Sequence, residues 1–92
     1  MSRYVYPAVF TPEDNGMYSV DFPDLDGCYT SGDDLADAIH MAEDVLAFTL
    51  YDLEKNHTNI PAPSENLEFP EGSFVNYITC DTLKYKEETV VK

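Results

Sequence analysis

Leu35, Ala38, Ile39, Ala42, Leu46, Thr49, Leu50 and Leu53 recur at helical spacing, and an apolar stripe of that kind has to be buried against another element. The start of the helix is written just upstream. Asp34 is a good N-cap, and Asp37, three residues later, stands where a capping-box acid belongs, with the helix dipole favouring both carboxylates. The stop is expected at Lys55 and Asn56, where a cation suits the C-terminal dipole and Asn can take the left-handed cap. In a chain of 92 residues, one such helix leaves room for a single domain near the lower end of what buries its own core.

The residues before the helix supply its packing partner. From Tyr4 to Phe10, the side chains of Tyr4, Tyr6, Ala8 and Phe10 alternate with Val5, Pro7 and Val9, which predicts a strand. Pro7 cannot donate to a ladder and so requires an edge or a bulge. Asn15-Gly16 is a hairpin signal, because both residues tolerate positive φ. Tyr18, Val20 and Phe22 then share one face of a second strand, and Pro23 to Gly27 forms a turn into Cys28-Tyr29-Thr30. Three consecutive short strands make a meander without long crossovers. After the helix, Ile60-Pro61-Ala62-Pro63-Ser64 is an extended linker, because each proline restricts itself and the residue before it. Glu65 to Gly72 is a polar loop anchored by Leu67 and Phe69, and Ser73 to Asp81 returns as a last strand.

The expected fold is therefore α+β: a three- to four-stranded antiparallel sheet packed on one long amphipathic helix, occupying residues 1–81. Residues 82–92 mix Lys84, Lys86, Glu87 and Glu88 before turning β-like at Thr89-Val90-Val91, and they read as a tail or linker. At about 100° per residue, Met41, Val45 and Phe48 widen the core stripe, while Tyr51 lies nearer solvent among Asp37, Asp44 and His40. Such an apolar flank is either core beneath a long loop or a surface for a partner or a second copy.

Charge narrows the function classes. The net charge is −13, and no Lys or Arg occurs between Arg3 and Lys55. Glu13, Asp14, Asp21, Asp24, Asp26, Asp33, Asp34, Asp37, Glu43, Asp44, Asp52 and Glu54 all fall in that interval. Binding nucleic acid needs Lys and Arg on phosphates, so direct binding to DNA or RNA is not expected. A basic protein partner is favoured, with association speeded by the long-range field, although an acidic surface can also serve solubility alone. No apolar run reaches the roughly 18 residues of a membrane span, and the N-terminus does not lead into a signal-peptide core; a cytoplasmic protein with no membrane contact is expected.

The carboxylates prompt a search for catalysis. Asp21, Asp24, Asp26, Asp33 and Asp34 are close in sequence, yet Asp24-Leu25-Asp26 lacks the glycine and terminal glutamate of a calcium loop. His40 and His57 are too far apart for paired ligands on one helix turn. Ser19, Ser31, Ser64 and Ser73 have no nucleophile-elbow context, and no glycine-rich phosphate loop occurs. Cys28 and Cys80 stand alone as free thiols. The reading is a non-enzyme with no metal and no cofactor.

Tyr6-Pro7-Ala8-Val9-Phe10, then the run Gly16-Met17-Tyr18-Ser19-Val20-Asp21-Phe22-Pro23-Asp24-Leu25-Asp26-Gly27-Cys28-Tyr29-Thr30-Ser31-Gly32-Asp33, then Ala38, Ala42 and Leu46, then Ile60-Pro61-Ala62-Pro63-Ser64, together resemble the HicB family of antitoxins. The likeness covers Tyr4 to about Asp81. It implies a partial, degraded ribonuclease-H-like fold without the nuclease's active carboxylates. It further implies an antitoxin of a type II toxin–antitoxin system, neutralising a small basic HicA-type mRNA ribonuclease by covering its active site. Full-length members carry a C-terminal ribbon-helix-helix or helix-turn-helix module and repress their own operon. Beyond Lys92 no residue remains to build one, so a trimmed or truncated protein is expected, as is a homodimer or higher homo-oligomer.

Within that resemblance, surface logic selects Asp24, Asp26, Asp33, Asp34 and Asp37 as carboxylates for the toxin's cations, with Tyr29, Phe48 and Tyr51 as desolvated anchors. The motif residues Phe22, Pro23, Asp24, Leu25, Gly27 and Gly32 are expected to serve turn geometry, the glycines by permitting backbone angles that other residues resist. Two alternatives remain at this stage: a residual metal-dependent nuclease on the sheet, and a solitary homo-oligomeric scaffold.

Overall fold

Asn15 and Gly16 take φ of 64° and 84°, and the reversal they make joins β1 (Arg3–Pro12) to β2 (Tyr18–Asp21). The computed structural model describes the backbone of residues 2–90 and the side chains of residues 2–86. β3 (Tyr29–Gly32), α1 (Leu35–Lys55), β4 (Phe74–Asp81) and α2 (Thr82–Val90) follow in order. The strands form one sheet in the order β3-β2-β1-β4, with every neighbouring pair antiparallel. β4 pairs with β1 from Arg3 to Phe10, whereas β2 pairs with β1 only from Val9 to Pro12. Pro7 therefore has a ladder on one side alone, which satisfies the demand its missing N–H makes.

The register sorts the faces. Tyr6, Ala8, Phe10, Val20 and Ile78 point to α1 and are buried with Phe22, Leu25, Ala38, Ala42, Leu46 and Leu50. Each large side chain so buried contributes about 1.5–3 kcal/mol of hydrophobic stabilisation before entropy is counted. Leu35 departs from the expected stripe at 38% exposure. It occupies the first helical position, and the close approach of helix to sheet comes one turn later, where Gly32 meets the backbone of Ala38. One helix on one sheet gives a plate of 38 × 30 × 17 Å.

Both helix ends follow local chemistry. Asp37 N–H donates to Asp34 Oδ1 at 2.8 Å, and Asp37 Oδ2 accepts from Asp33 N–H at 2.9 Å, a reciprocal cap that reaches one residue beyond the usual box. At the other end, the left-handed residue is His57 (φ 56°), not Asn56 (φ −92°). His57 N–H bonds Glu54 O at 3.1 Å and Thr58 N–H bonds Leu53 O at 2.9 Å, so the helix stops at Lys55 as expected and closes in a Schellman motif whose left-handed position falls one residue later than expected.

The C-terminal segment is the main departure. Thr82–Val90 is helix, where Thr89 and Val90 were expected to turn β-like; Val91 and Lys92 lie outside the described residues. Asp81 caps α2, its Oδ1 accepting from Leu83 N–H at 3.0 Å and Lys84 N–H at 3.2 Å. Buried Thr82 exchanges backbone and side-chain bonds with Ser2, and its hydroxyl lies 3.1 Å from Glu54 Oε2, which also accepts from the Tyr4 hydroxyl at 2.6 Å. The segment thereby docks on α1, with Tyr85 5.5 Å from Tyr51 between ring centres. Among the described residues, no helix is long and apolar enough to cross a membrane.

Candidate functional site

The turn between β2 and β3 is held by its apolar members. Phe22, Leu25 and Cys28 are buried, and three backbone bonds close the loop: Leu25 N–H to Phe22 O, Cys28 N–H to Leu25 O and Phe22 N–H to Cys28 O. Gly27 sits at φ 69°, as the turn requires. Asp24 points back into the protein and accepts from Ser64 N–H at 2.9 Å and from the Ser64 hydroxyl. This carboxylate fastens the Ile60-Pro61-Ala62-Pro63-Ser64 linker to the turn. Tyr6 adds a second tie, donating its hydroxyl to Pro61 O.

Gly32 matters for a different reason from the one expected. Its φ is not positive; a Cβ there would stand 2.3 Å from Ala38 N and 2.5 Å from Ala38 Cα. Glycine is needed because β3 and α1 touch backbone to backbone. That approach sets Asp33, Asp34 and Asp37 at the end of β3, with Asp34 and Asp37 spent on the cap and Asp33 exposed.

The exposed remainder gathers at the β3 side of the plate. Asp26 is exposed at the turn, and Tyr29 is 66% exposed on the edge strand. Met41 and Phe48 share a helix flank, Phe48 being 58% exposed. The Cys28 sulfur lies 3.9 Å from Val45 O, which places this flank beside the acidic turn. Tyr51 is half-buried against Tyr85, whereas Phe48, one helical turn earlier, stays exposed. No Lys or Arg lies anywhere on residues 4–54, and this surface therefore presents acids and aromatic rings without intervening cations. It can attract a cationic surface and bury rings against it.

Reactive chemistry finds little purchase. Burial first, then negative charge at Glu54 and Asp81, pushes the Cys80 thiol up to about 12; burial also pushes Cys28 up. Both thiols are held protonated and unreactive. Desolvation raises the Asp21 carboxyl on the outer face of β2. His40 is exposed, with Nε2 3.5 Å from Asp44 Oδ2. Among the described residues, no group of three His, Cys, Asp or Glu side chains comes together to hold a metal ion.

Two features of this region went unread in the sequence. The Asp24–Ser64 tie joins residues forty apart and has no local signature. The cap of α2 did have one, Asp81 ahead of Thr82-Leu83-Lys84-Tyr85, obscured by the mixed charges that follow.

A family model described as HicB-like antitoxin of bacterial toxin–antitoxin system matches residues 6–87. Antitoxin HicB 1 of Photorhabdus laumondii is 37% identical over 60 residues, which cover 63% of this chain and 39% of that protein. The match therefore spans about two fifths of that relative's length. A toxin–antitoxin complex from Streptococcus pneumoniae shares the fold, with a TM-score of 0.79 at 24% identity over 90% of this chain and 72% of that one. The HicA3 and HicB3 toxin–antitoxin complex is similar at TM-score 0.66 and 26% identity, covering 85% of this chain and 99% of the other. The antitoxin HicB3 is similar at TM-score 0.69 and 26% identity, covering 89% and 65%.

Proposed function

The chain belongs to the HicB-like antitoxin family, and on that premise we propose that it neutralises a small basic HicA-type ribonuclease by covering the toxin's active site. The observation that carries this reading is the absence of Lys and Arg from residues 4–54 combined with the exposure of Tyr29 on the edge strand and of Phe48 on the helix flank beside the acidic turn. Carboxylates there take the place of RNA phosphates on the toxin's Lys and Arg, and the two rings supply apolar anchors. Asp26 and Asp33 are free to meet the toxin directly. Asp24, Asp34 and Asp37 act chiefly by holding the turn and the helix start in place, while adding to the field. Tyr51, packed on α2, contributes to this surface only through the fold.

The role is stoichiometric and not catalytic, in keeping with the antitoxin family. The decisive experiment mixes the purified chain with the cognate toxin and follows cleavage of an RNA substrate. Cleavage should cease at one equivalent of the chain; cleavage continuing unchanged at excess would overturn the reading. Raising salt should slow association more than it weakens the finished complex, because the rings and not the charges hold it.

A further inference from the structure

Asp21, the last residue of β2, is a carboxylate that the fold leaves without a counterpart. The register sets Val9 directly across from it on one side and Tyr29 on the other, so the three form one row across the sheet. Directly paired residues share a face. This row lies on the face turned away from α1, because Ala8 and Phe10, the chain neighbours of Val9, are buried beneath the helix. Val9 is 7% exposed and Tyr29 66%, which sets the carboxylate at the boundary between a covered apolar surface and an open ring. Neighbouring acids are engaged: Glu13 accepts from the Ser19 hydroxyl at 2.8 Å, Asp24 from Ser64, and Asp34 and Asp37 from the helix start. Among the described residues, no cation and no hydrogen-bond donor meets Asp21, although its side chain is open to a partner. The packing around it withdraws water, and that desolvation raises its carboxyl. A carboxylate that has lost water and gained nothing in return is stabilised by a cation that brings hydrogen bonds of its own.

We propose that Asp21 and Tyr29 form a clamp for one arginine of the basic partner, the carboxylate taking the guanidinium through two N–H bonds while the Tyr29 ring stacks on its plane. The clamp rests on the neutralisation of a basic toxin proposed above, and it names the groups by which that toxin is gripped. Arginine fits better than lysine on three counts. Its planar fork matches both carboxylate oxygens, its face stacks on an aromatic ring, and it is less strongly hydrated than an ammonium, so it gives up less water on entering a partly dry site. Cross-strand partners stand about 4.5–5.5 Å apart between Cβ atoms, which lets one guanidinium touch both side chains. A pair closed in such a place is screened little by salt. It therefore holds the finished complex alongside the rings, whereas exposed Asp26 and Asp33 act through the field during approach.

The test measures association and dissociation rates of the cognate toxin on the unaltered chain and on Asp21→Asn, Tyr29→Phe and Tyr29→Leu. Asp21→Asn should speed dissociation about thirtyfold or more and change the on-rate by about threefold at most. Tyr29→Phe keeps the ring and should dissociate within about twofold of the unaltered chain, whereas Tyr29→Leu should dissociate about fivefold faster or more. Asp21→Asn and Tyr29→Leu combined should cost less than the product of their separate effects, since both side chains hold one group. With the toxin's arginines isotopically labelled, one guanidinium N–H signal should exchange slowly with water in the complex and return to fast exchange with Asp21→Asn. The free chain should lose no stability: the urea midpoint of Asp21→Asn should equal or exceed that of the unaltered chain, because the charge removed is desolvated and unpartnered. A clear fall in that midpoint would make Asp21 a support of the fold and overturn the clamp. So would an effect confined to the on-rate, or the absence of a protected guanidinium. A toxin that does not bind the unaltered chain would overturn the neutralisation and the clamp together, whereas binding and inhibition that Asp21→Asn leaves intact would overturn the clamp alone.

Discussion

β3 and β4 bound the same sheet, yet they are edges of opposite character. β3 is four residues long, leads straight into Asp33 and Asp34, and follows a turn that exposes Asp26. β4 is twice that length and neutral from Val75 to Cys80. β3 is joined to α1 so closely that Gly32 has no room for a methyl group, while β4 is secured by an eight-pair ladder to β1. Edge length and charge together set what each side can accept. A short acidic edge offers few backbone groups and a strong field, which suits a cationic surface; a long neutral edge offers hydrogen bonds and no field, which suits another strand.

The largest effect that would break this contrast is expected at Gly32. Gly32→Ala drives a Cβ into the backbone of Ala38, where no flexible side chain can yield, so it should cost about 3 kcal/mol or more in urea unfolding. A loss below about 1 kcal/mol would mean that β3 and α1 can part freely. Asp24→Ala comes next. It leaves the Ser64 N–H and hydroxyl without their acceptor and should destabilise by about 1–3 kcal/mol, with Ser64→Ala adding little on top. Full additivity in that double-mutant cycle would remove the tie between turn and linker.

Replacing exposed Asp26 and Asp33 together by Asn should slow toxin association about tenfold at low salt, with unfolding midpoints nearly unchanged. An unaltered on-rate would detach the β3 side from the field assigned to it. Alkaline pH probes β4 through Cys80. Its thiol is pushed up to about 12 by burial, whereas in the unfolded chain it ionises near about 8.5. Stability is therefore fullest below about pH 8.5 and declines as pH rises toward the folded value, because the unfolded state loses its proton first. Cys80→Ala should flatten that decline in pH-resolved urea melts; identical slopes would mean that the half-buried thiol does not set it. The smallest effect is expected for Thr79→Ala on the open edge, within about 0.5 kcal/mol, and a larger loss would mean that this edge is not open in the single chain.

Much of the fold was legible because its signals are local. Alternation placed Tyr6, Ala8 and Phe10 on one face, Asn15-Gly16 marked the hairpin, and Asp34 with Asp37 marked the helix start, each within a few residues of its partners. The errors also lie where local rules compete. His57 took the left-handed position assigned to Asn56, since a Schellman closure depends on where the last carbonyls fall and not on which residue best tolerates the angle. Gly32 looked like a turn glycine and proved to be a spacer, because the element it meets lies on α1. For the candidate site, the family motif and the acidic run were readable, but residue type could not separate Asp24, turned inward to Ser64, from Asp26, turned to solvent.

By itself, the sequence determined the strands and long helix, the helix start, the inward faces and the one-sided charge, because periodicity, capping and net charge depend on near neighbours or on simple sums. Only the tertiary structure decided that β4 lies outermost and β1 in the middle, that α2 covers Tyr51 while Phe48 stays open, and that Asp24 holds a linker. Those outcomes rest on pairings between residues tens of positions apart, and the order in which strands join is a property of the whole assembly that no short window contains.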